Sequence, residues 1–114
     1  MNILDIVAPL LPVPVKKGFM PAEPDDCVAI FEYSAPPPVH SFGHTDILHG
    51  LQVRSRSLAA DTAHKAALAC AETLNRYQDG EISILQTTPV LDIGYDNANR
   101  ARAEYTVNFT VRRL

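Results

Sequence analysis

The last stretch of the chain constrains the fold more than any other. From Arg100 to Arg113, residues Ala103, Tyr105, Val107, Phe109 and Val111 fall on one side of an extended backbone. Arg102, Glu104, Thr106, Asn108, Thr110 and Arg112 fall on the other. Successive side chains of a strand point to opposite faces, so this segment belongs in a sheet with one face on a core and the other in water. Leu48 to Ser57 repeats the pattern, with Leu51, Val53 and Ser55 set against Gln52, Arg54 and Arg56. A cover for the apolar face lies between them. From Leu58 to about Tyr77, residues Ala60, Ala63, Ala67, Cys70, Leu74 and Tyr77 recur at steps of three or four, the strongest helical pattern in the chain. Its alanine-rich face lets such a helix lie close against a sheet. Ser57 is expected to cap it, Asp61 places negative charge in its first turn, and Gln78-Asp79-Gly80 is expected to stop it.

The other elements read in the same way. Ile3, Ile6, Val7, Leu10 and Leu11 form one stripe of a short helix that Asn2 can cap, that Pro9 strains, and that Pro12 and Pro14 end. Val15 to Phe19 is a short strand, and Met20 to Asp26 is a Pro- and Asp-rich loop. Cys27 to Tyr33 is β-branched and aromatic, the composition of a buried strand. The prolines at 36, 37 and 38 stop it, and an exposed loop is expected to about Ile47. After the long helix, Glu81 to Thr87 presents Ile82, Ile84 and Gln86 on one face, Pro89 to Tyr95 is a further strand, and Asp96 to Asn99 is a turn. The expected order is helix, three strands, helix, three strands. The fold class is α+β, with a mostly antiparallel sheet of about five to six strands and two helices on one face, in one domain spanning 1–114.

Composition narrows the function. Ten Lys and Arg against 13 Asp and Glu give a net charge of −3, the wrong sign for a dedicated nucleic-acid binder. No apolar run approaches the roughly 20 residues of a spanning helix, so no membrane partner is expected. The opening Met1-Asn2-Ile3-Leu4-Asp5 lacks a basic region ahead of an apolar one, and a cytoplasmic site of synthesis and action is expected. The two cysteines, Cys27 and Cys70, sit in apolar patterns without local partners and read as reduced core residues.

A search for chemistry returns no enzyme signature. His40, His44 and His49, with Asp46, cluster as metal ligands do, but loop spacing fixes no coordination geometry and a polar loop produces the same pattern. His64 reads as a solvated residue on the polar side of the helix. Asp25-Asp26 fits a turn better than a metal or acid-base pair. Ser41 and Ser55 lack a glycine elbow, Cys27 lacks a base, and Gly43, Gly50, Gly80 and Gly94 are too dispersed to cradle a phosphate. No catalytic residue, metal or cofactor is therefore expected. The polar rows of the sheet carry two readings: a wet face with helices behind it, or a surface that meets other subunits.

Four segments carry a resemblance. They are Gly18 to Ile30, the alternating strand Leu51 to Arg56, the helix Leu58 to Tyr77, and the ending Pro89 to Phe109. The first resembles a G-x-M-P-x-x-P-D-x-x-I-x-I stretch, and all four follow the order seen in the tail terminator or minor capsid proteins of tailed bacteriophages, small head-tail joining proteins. The loop from Pro36 to Thr45 matches no part of that pattern. The resemblance implies a structural protein without catalysis: a homo-oligomeric ring, commonly of six subunits, that ends the tail tube and offers the surface to which the head docks. Its implied partners are further copies of itself, the tail tube protein and a head-completion or neck protein, with genome DNA passing through unbound. Its implied location is the virion, after assembly in the host cytoplasm. Arg54, Arg56, Arg102 and Glu104 are then the expected interface or lumen residues. A neck connector is the nearest alternative, and a small-ligand regulatory domain a more distant one that lacks the glycine-rich loop it would need.

Overall fold

A computed structural model describes residues 2–33, 39–41, 44–96 and 101–113, with side chains left aside at 39–41 and 44–46. Helix α1 (Ile3–Val7) is capped by Asn2, whose side-chain oxygen accepts from the Leu4 amide at 2.7 Å. Pro9 then converts the chain to a 3₁₀ turn over Ala8–Leu10, the tighter form that tolerates a missing amide at its start. The strands are β1 (Lys16–Lys17), β2 (Cys27–Tyr33), β3 (Val39–Ser41), β4 (His44–Ser57), β5 (Ile82–Gln86), β6 (Leu91–Asp96) and β7 (Arg102–Arg113), with helix α2 (Ala60–Leu74) between β4 and β5.

Among the described residues these seven strands form one sheet, ordered β1-β2-β4-β7-β5, with β3 beside the outer end of β4 and β6 beside the start of β7. Every pairing is antiparallel except β1 with β2. The fold is α+β with a mostly antiparallel sheet. The two alternating segments of the sequence are its central pair. Val53 faces Ile30 on one side and Val107 on the other, and Leu51 faces Phe109, so one register puts all the apolar residues on one face.

That face is the core. Ile30, Leu51, Val53, Ile82, Ile84, Val107, Phe109 and Val111 are fully buried beneath Ile3 and Val7 of α1 and Ala67, Cys70 and Leu74 of α2. Burial of each large side chain contributes about 1.5–3 kcal/mol, and Ala63, Ala67 and Ala71 let α2 sit low on β4 and β7. Ser55, also on this face, spends its hydroxyl on the Ala63 carbonyl at 2.6 Å and ties helix to sheet.

Several expectations are corrected. Ser57 does not cap α2: the N-cap is Ala59, and the Ser57 hydroxyl donates to Asp26 at 2.5 Å while accepting from the Ala59 amide. The helix ends at Leu74 with Asn75 as its C-cap, before Gly80, and it is Arg76 that takes the positive φ of 67°. His64 is half-buried, its ring 5.0 Å from that of Tyr105, because Tyr105 rises from the sheet beneath the helix. The long loop expected up to Ile47 is in part a hairpin, since β3 and the start of β4 pair there. Residues 34–38, 42–43 and 97–100 of the two predicted loops lie outside the described residues.

Candidate functional site

The most densely bonded polar cluster lies on the face of the sheet away from the helices. Arg56 and Arg102 both point to that face, at the end where β4 and β7 meet the loop leading into β2. Glu104 sits opposite Arg56 in the register, and Asp96 opposite Arg102. The loop folds over both guanidinium groups. Arg56 donates through Nη2 to the carbonyls of Pro21 and Pro24, each at 2.7 Å, and through Nε to that of Asp25 at 3.2 Å. Arg102 donates through Nη1 to the Ala22 carbonyl at 2.6 Å, and through Nη2 to the Asp96 carboxylate at 2.5 Å. Ion pairs complete the cluster, Arg102 with Asp25 at 3.4 Å and Arg56 with Asp96 at 3.6 Å.

The loop's chemistry explains the match. Proline carries no amide proton, so Met20-Pro21-Ala22-Glu23-Pro24 presents more acceptors than donors, and the Glu23–Pro24 peptide bond is cis. A guanidinium is a fixed fork of five donors without an acceptor, suited to such a segment. The result is a clasp that binds the loop to the sheet. Arg56 is 3% and Arg102 4% exposed, so neither charge faces outward from the subunit.

The four arginine and glutamate residues singled out in the sequence therefore separate. Arg56 and Arg102 lie inside the clasp because tertiary folding of the 20–25 loop covers them. Arg54 and Glu104 remain half-buried on the same face. Arg54 lies 5.5 Å from the centre of the Phe31 ring and donates to Gln52 at 3.4 Å, and Gln52 in turn donates to Asn108 at 3.2 Å. Asp25 and Asp26 work as structural acceptors, for Arg102 and Ser57 respectively.

Of the clustered histidines, only the side chain of His49 is described. His49 lies on the helix-facing side of the sheet, where its Nδ1 meets Glu32 at 2.6 Å, while the side chains of His40, His44 and Asp46 lie outside those described. Among the described residues no group of three His, Cys, Asp or Glu is placed to hold a metal ion. Both cysteines are free thiols. Cys70 is fully buried, and burial pushes its pKa up to about 11, which suppresses the thiolate needed for nucleophilic work. No helix among the described residues is long and apolar enough to cross a membrane.

No protein-family model matches the sequence, and no curated protein matches it. The geometry thus offers a clasp whose guanidinium donors are engaged by the chain itself, except the buried Arg102 Nε, which has no hydrogen-bond partner among the described residues, together with an outer surface that carries large apolar side chains. The latter were not singled out from the sequence. Phe19, Ile47, Leu58, Leu85, Ile93 and Tyr95 are each at least 45% exposed. Alternation alone conceals them, since an apolar residue at a sheet edge reads like one in the core.

Proposed function

We propose that this chain is the subunit of a tail terminator of a tailed phage or prophage, a non-enzymatic protein whose ring closes the tail tube and offers the head its docking surface. The reading rests on one observation: four segments similar to that family follow in the family's order and span nearly the whole chain. The α+β fold is compatible with it, since a sheet covered on one face by helices leaves two lateral edges for neighbours. A closed ring needs a heterologous contact, in which one edge meets a different edge of the next copy. Three of the four segments also converge on the clasp, through Pro21 to Asp25, Arg56, and Asp96 with Arg102. The net charge of −3 suits a conduit through which DNA must slide without being held.

Deletion of the gene from the phage or prophage, followed by electron microscopy of the particles, tests the proposal. Full heads accompanied by tails of uncontrolled length are expected. Tails of normal length, or a purified protein that stays monomeric at every concentration, overturn it.

A further inference from the structure

The two sides of the sheet end differently, and the difference points to how copies of this chain meet. β5 and β6 lie end to end along the outer side of β7. The outer side of β5 is already occupied. The segment after α2 returns along it, with Arg76 donating to the Ile84 carbonyl, Ile84 to that of Tyr77, Asp79 to that of Ile82, and a bridge between Gln78 and Ser83. Among the described residues no segment pairs with the outer side of β6. That strand is nonetheless apolar and open: Leu91, Ile93 and Tyr95 are 41%, 45% and 62% exposed, and the exposed Asp92 stands among them. An uncovered edge with exposed large side chains is a template for pairing with another chain.

At the far side of the sheet stands β1, whose two residues, Lys16 and Lys17, are both exposed, and Phe19 just beyond them is 55% exposed. Lys17 is held by Asp5 at 2.6 Å. The β1 edge carries Lys16 and the Asp5-paired Lys17, and the β6 edge carries Asp92, whose carboxylate also accepts from the Gly94 amide, so unlike edges attract more than like ones. Charge arranged in this way selects a head-to-tail contact over a two-fold one. Strand direction agrees. β6 runs opposite to β7, β7 to β4 and β4 to β2, and β1 runs with β2. A neighbour related by rotation about an axis along the strands therefore presents β1 antiparallel to β6, the better-bonded arrangement. The bulge between Asp92 and Gly94, where Gly94 takes a φ of 93°, divides the edge into short stretches, so side chains carry much of the contact.

We propose that β6 of one copy seats on the β1 edge of a second copy of this chain, so that Leu91, Ile93 and Tyr95 meet the edge that carries Phe19, and Asp92 lies on the same sheet face as Lys17. This rests on the ring reading above and names its interface.

Sedimentation velocity on the full chain over a concentration series tests it, using Ile93→Lys/Tyr95→Lys on one edge and Phe19→Lys on the other. Each variant is expected to weaken assembly by about tenfold or more, with the melting temperature of the dilute protein unchanged. An equimolar mixture is expected to form a two-subunit species containing one of each, since only one competent β6 edge and one competent β1 edge remain. If Ile93→Lys fails to fold, Tyr95→Lys alone carries the test. If wild type assembles and the variants assemble equally well, or if Phe19→Lys alone has no effect, the edge assignment is overturned and the ring reading stands. If wild type is monomeric throughout, the ring reading itself fails.

Discussion

Replacing Arg102 by Met separates a residue that holds the subunit together from one that holds subunits to each other. Methionine keeps much of the stem's length and apolar bulk and removes the guanidinium. The Ala22 carbonyl and the Asp96 carboxylate then lose donors at 2.6 and 2.5 Å, and Asp25 loses an ion-pair partner at 3.4 Å. Breaking one side of a fully buried pair costs about 3–5 kcal/mol. The carboxylates here keep 22% and 26% side-chain exposure, so water recovers part of that loss and about 2–3 kcal/mol is expected. For a chain of this size that corresponds to a fall of about 8–12 °C in melting temperature. Arg56→Met, which strands three carbonyls, should fall in the same range. Arg54→Met gives up a 3.4 Å bond and a ring contact at 5.5 Å, and should cost under about 1 kcal/mol. Urea and thermal unfolding followed by circular dichroism, at concentrations where only monomer sediments, measures all three. An Arg102→Met protein that melts within about 2 °C of wild type while failing to assemble would refute the clasp and return Arg102 to the interface.

Three further outcomes follow from other sites. A methyl group at Gly50 would lie 2.6 Å from Cε2 of Tyr33, so Gly50→Ala should destabilise by about 1–2 kcal/mol. Combined with Tyr33→Ala, the same change should become stabilising by about 0.5–1 kcal/mol, because an interior strand residue then replaces glycine without a clash. Equal effects in both backgrounds of this double-mutant cycle would exclude the contact. Cys70, with its pKa near 11, should resist a thiol reagent at neutral pH until the protein unfolds, whereas the partly exposed Cys27 should react in the native state, as mass spectrometry of the labelled peptides would show. The Asp79 carboxyl is held below its ordinary 3.8, first by the Glu81 amide and then by the Ile82 amide and the Tyr77 hydroxyl. Its folded state favours the charged form, so its contribution is present above that ordinary value and lost as pH falls through the lowered one. Asp79→Asn should reduce the steepness of acid unfolding in that range, and an unchanged acid limb would count against it.

Much of the framework is legible from periodicity because burial enforces it. The alternation in β7 places Ala103, Val107, Phe109 and Val111 in the core, as that in β4 does Leu51 and Val53, and β2 begins and ends where its β-branched run does. The ends of α2 are not legible. Ser57 has the chemistry of a cap, but Asp26, distant in sequence, takes its hydroxyl, and Asn75 ends the helix ahead of the expected glycine. His64 looked polar because only the tertiary fold places Tyr105 beneath it. Arg56 and Arg102 mislead for a related reason. An arginine on the polar side of a strand ordinarily faces water, and what covers these two is a loop 31 to 80 residues away in sequence. The signal that does exist is an imbalance: a proline-rich stretch with more carbonyls than amides, which must find donors elsewhere in the chain.

The clasp also changes which residues can report on assembly. Pro21, Asp25, Arg56, Asp96 and Arg102 lie in the segments that carry the phage resemblance, yet each has a task inside the subunit. Any protein of this fold needing that loop fixed to that sheet end would use such residues, whatever it assembled with. Leu91, Ile93 and Tyr95 differ: they lie in the same closing segment, stay outside the buried core, and expose large apolar side chains along a strand edge that is unpaired among the described residues. Substitutions in the clasp should therefore lower stability and assembly together, while substitutions on β6 should lower assembly alone. Melting temperature and sedimentation measured on both sets of variants tell the two classes apart, and a β6 set that destabilised the monomer as much as the clasp set would place those residues in the fold instead of the contact.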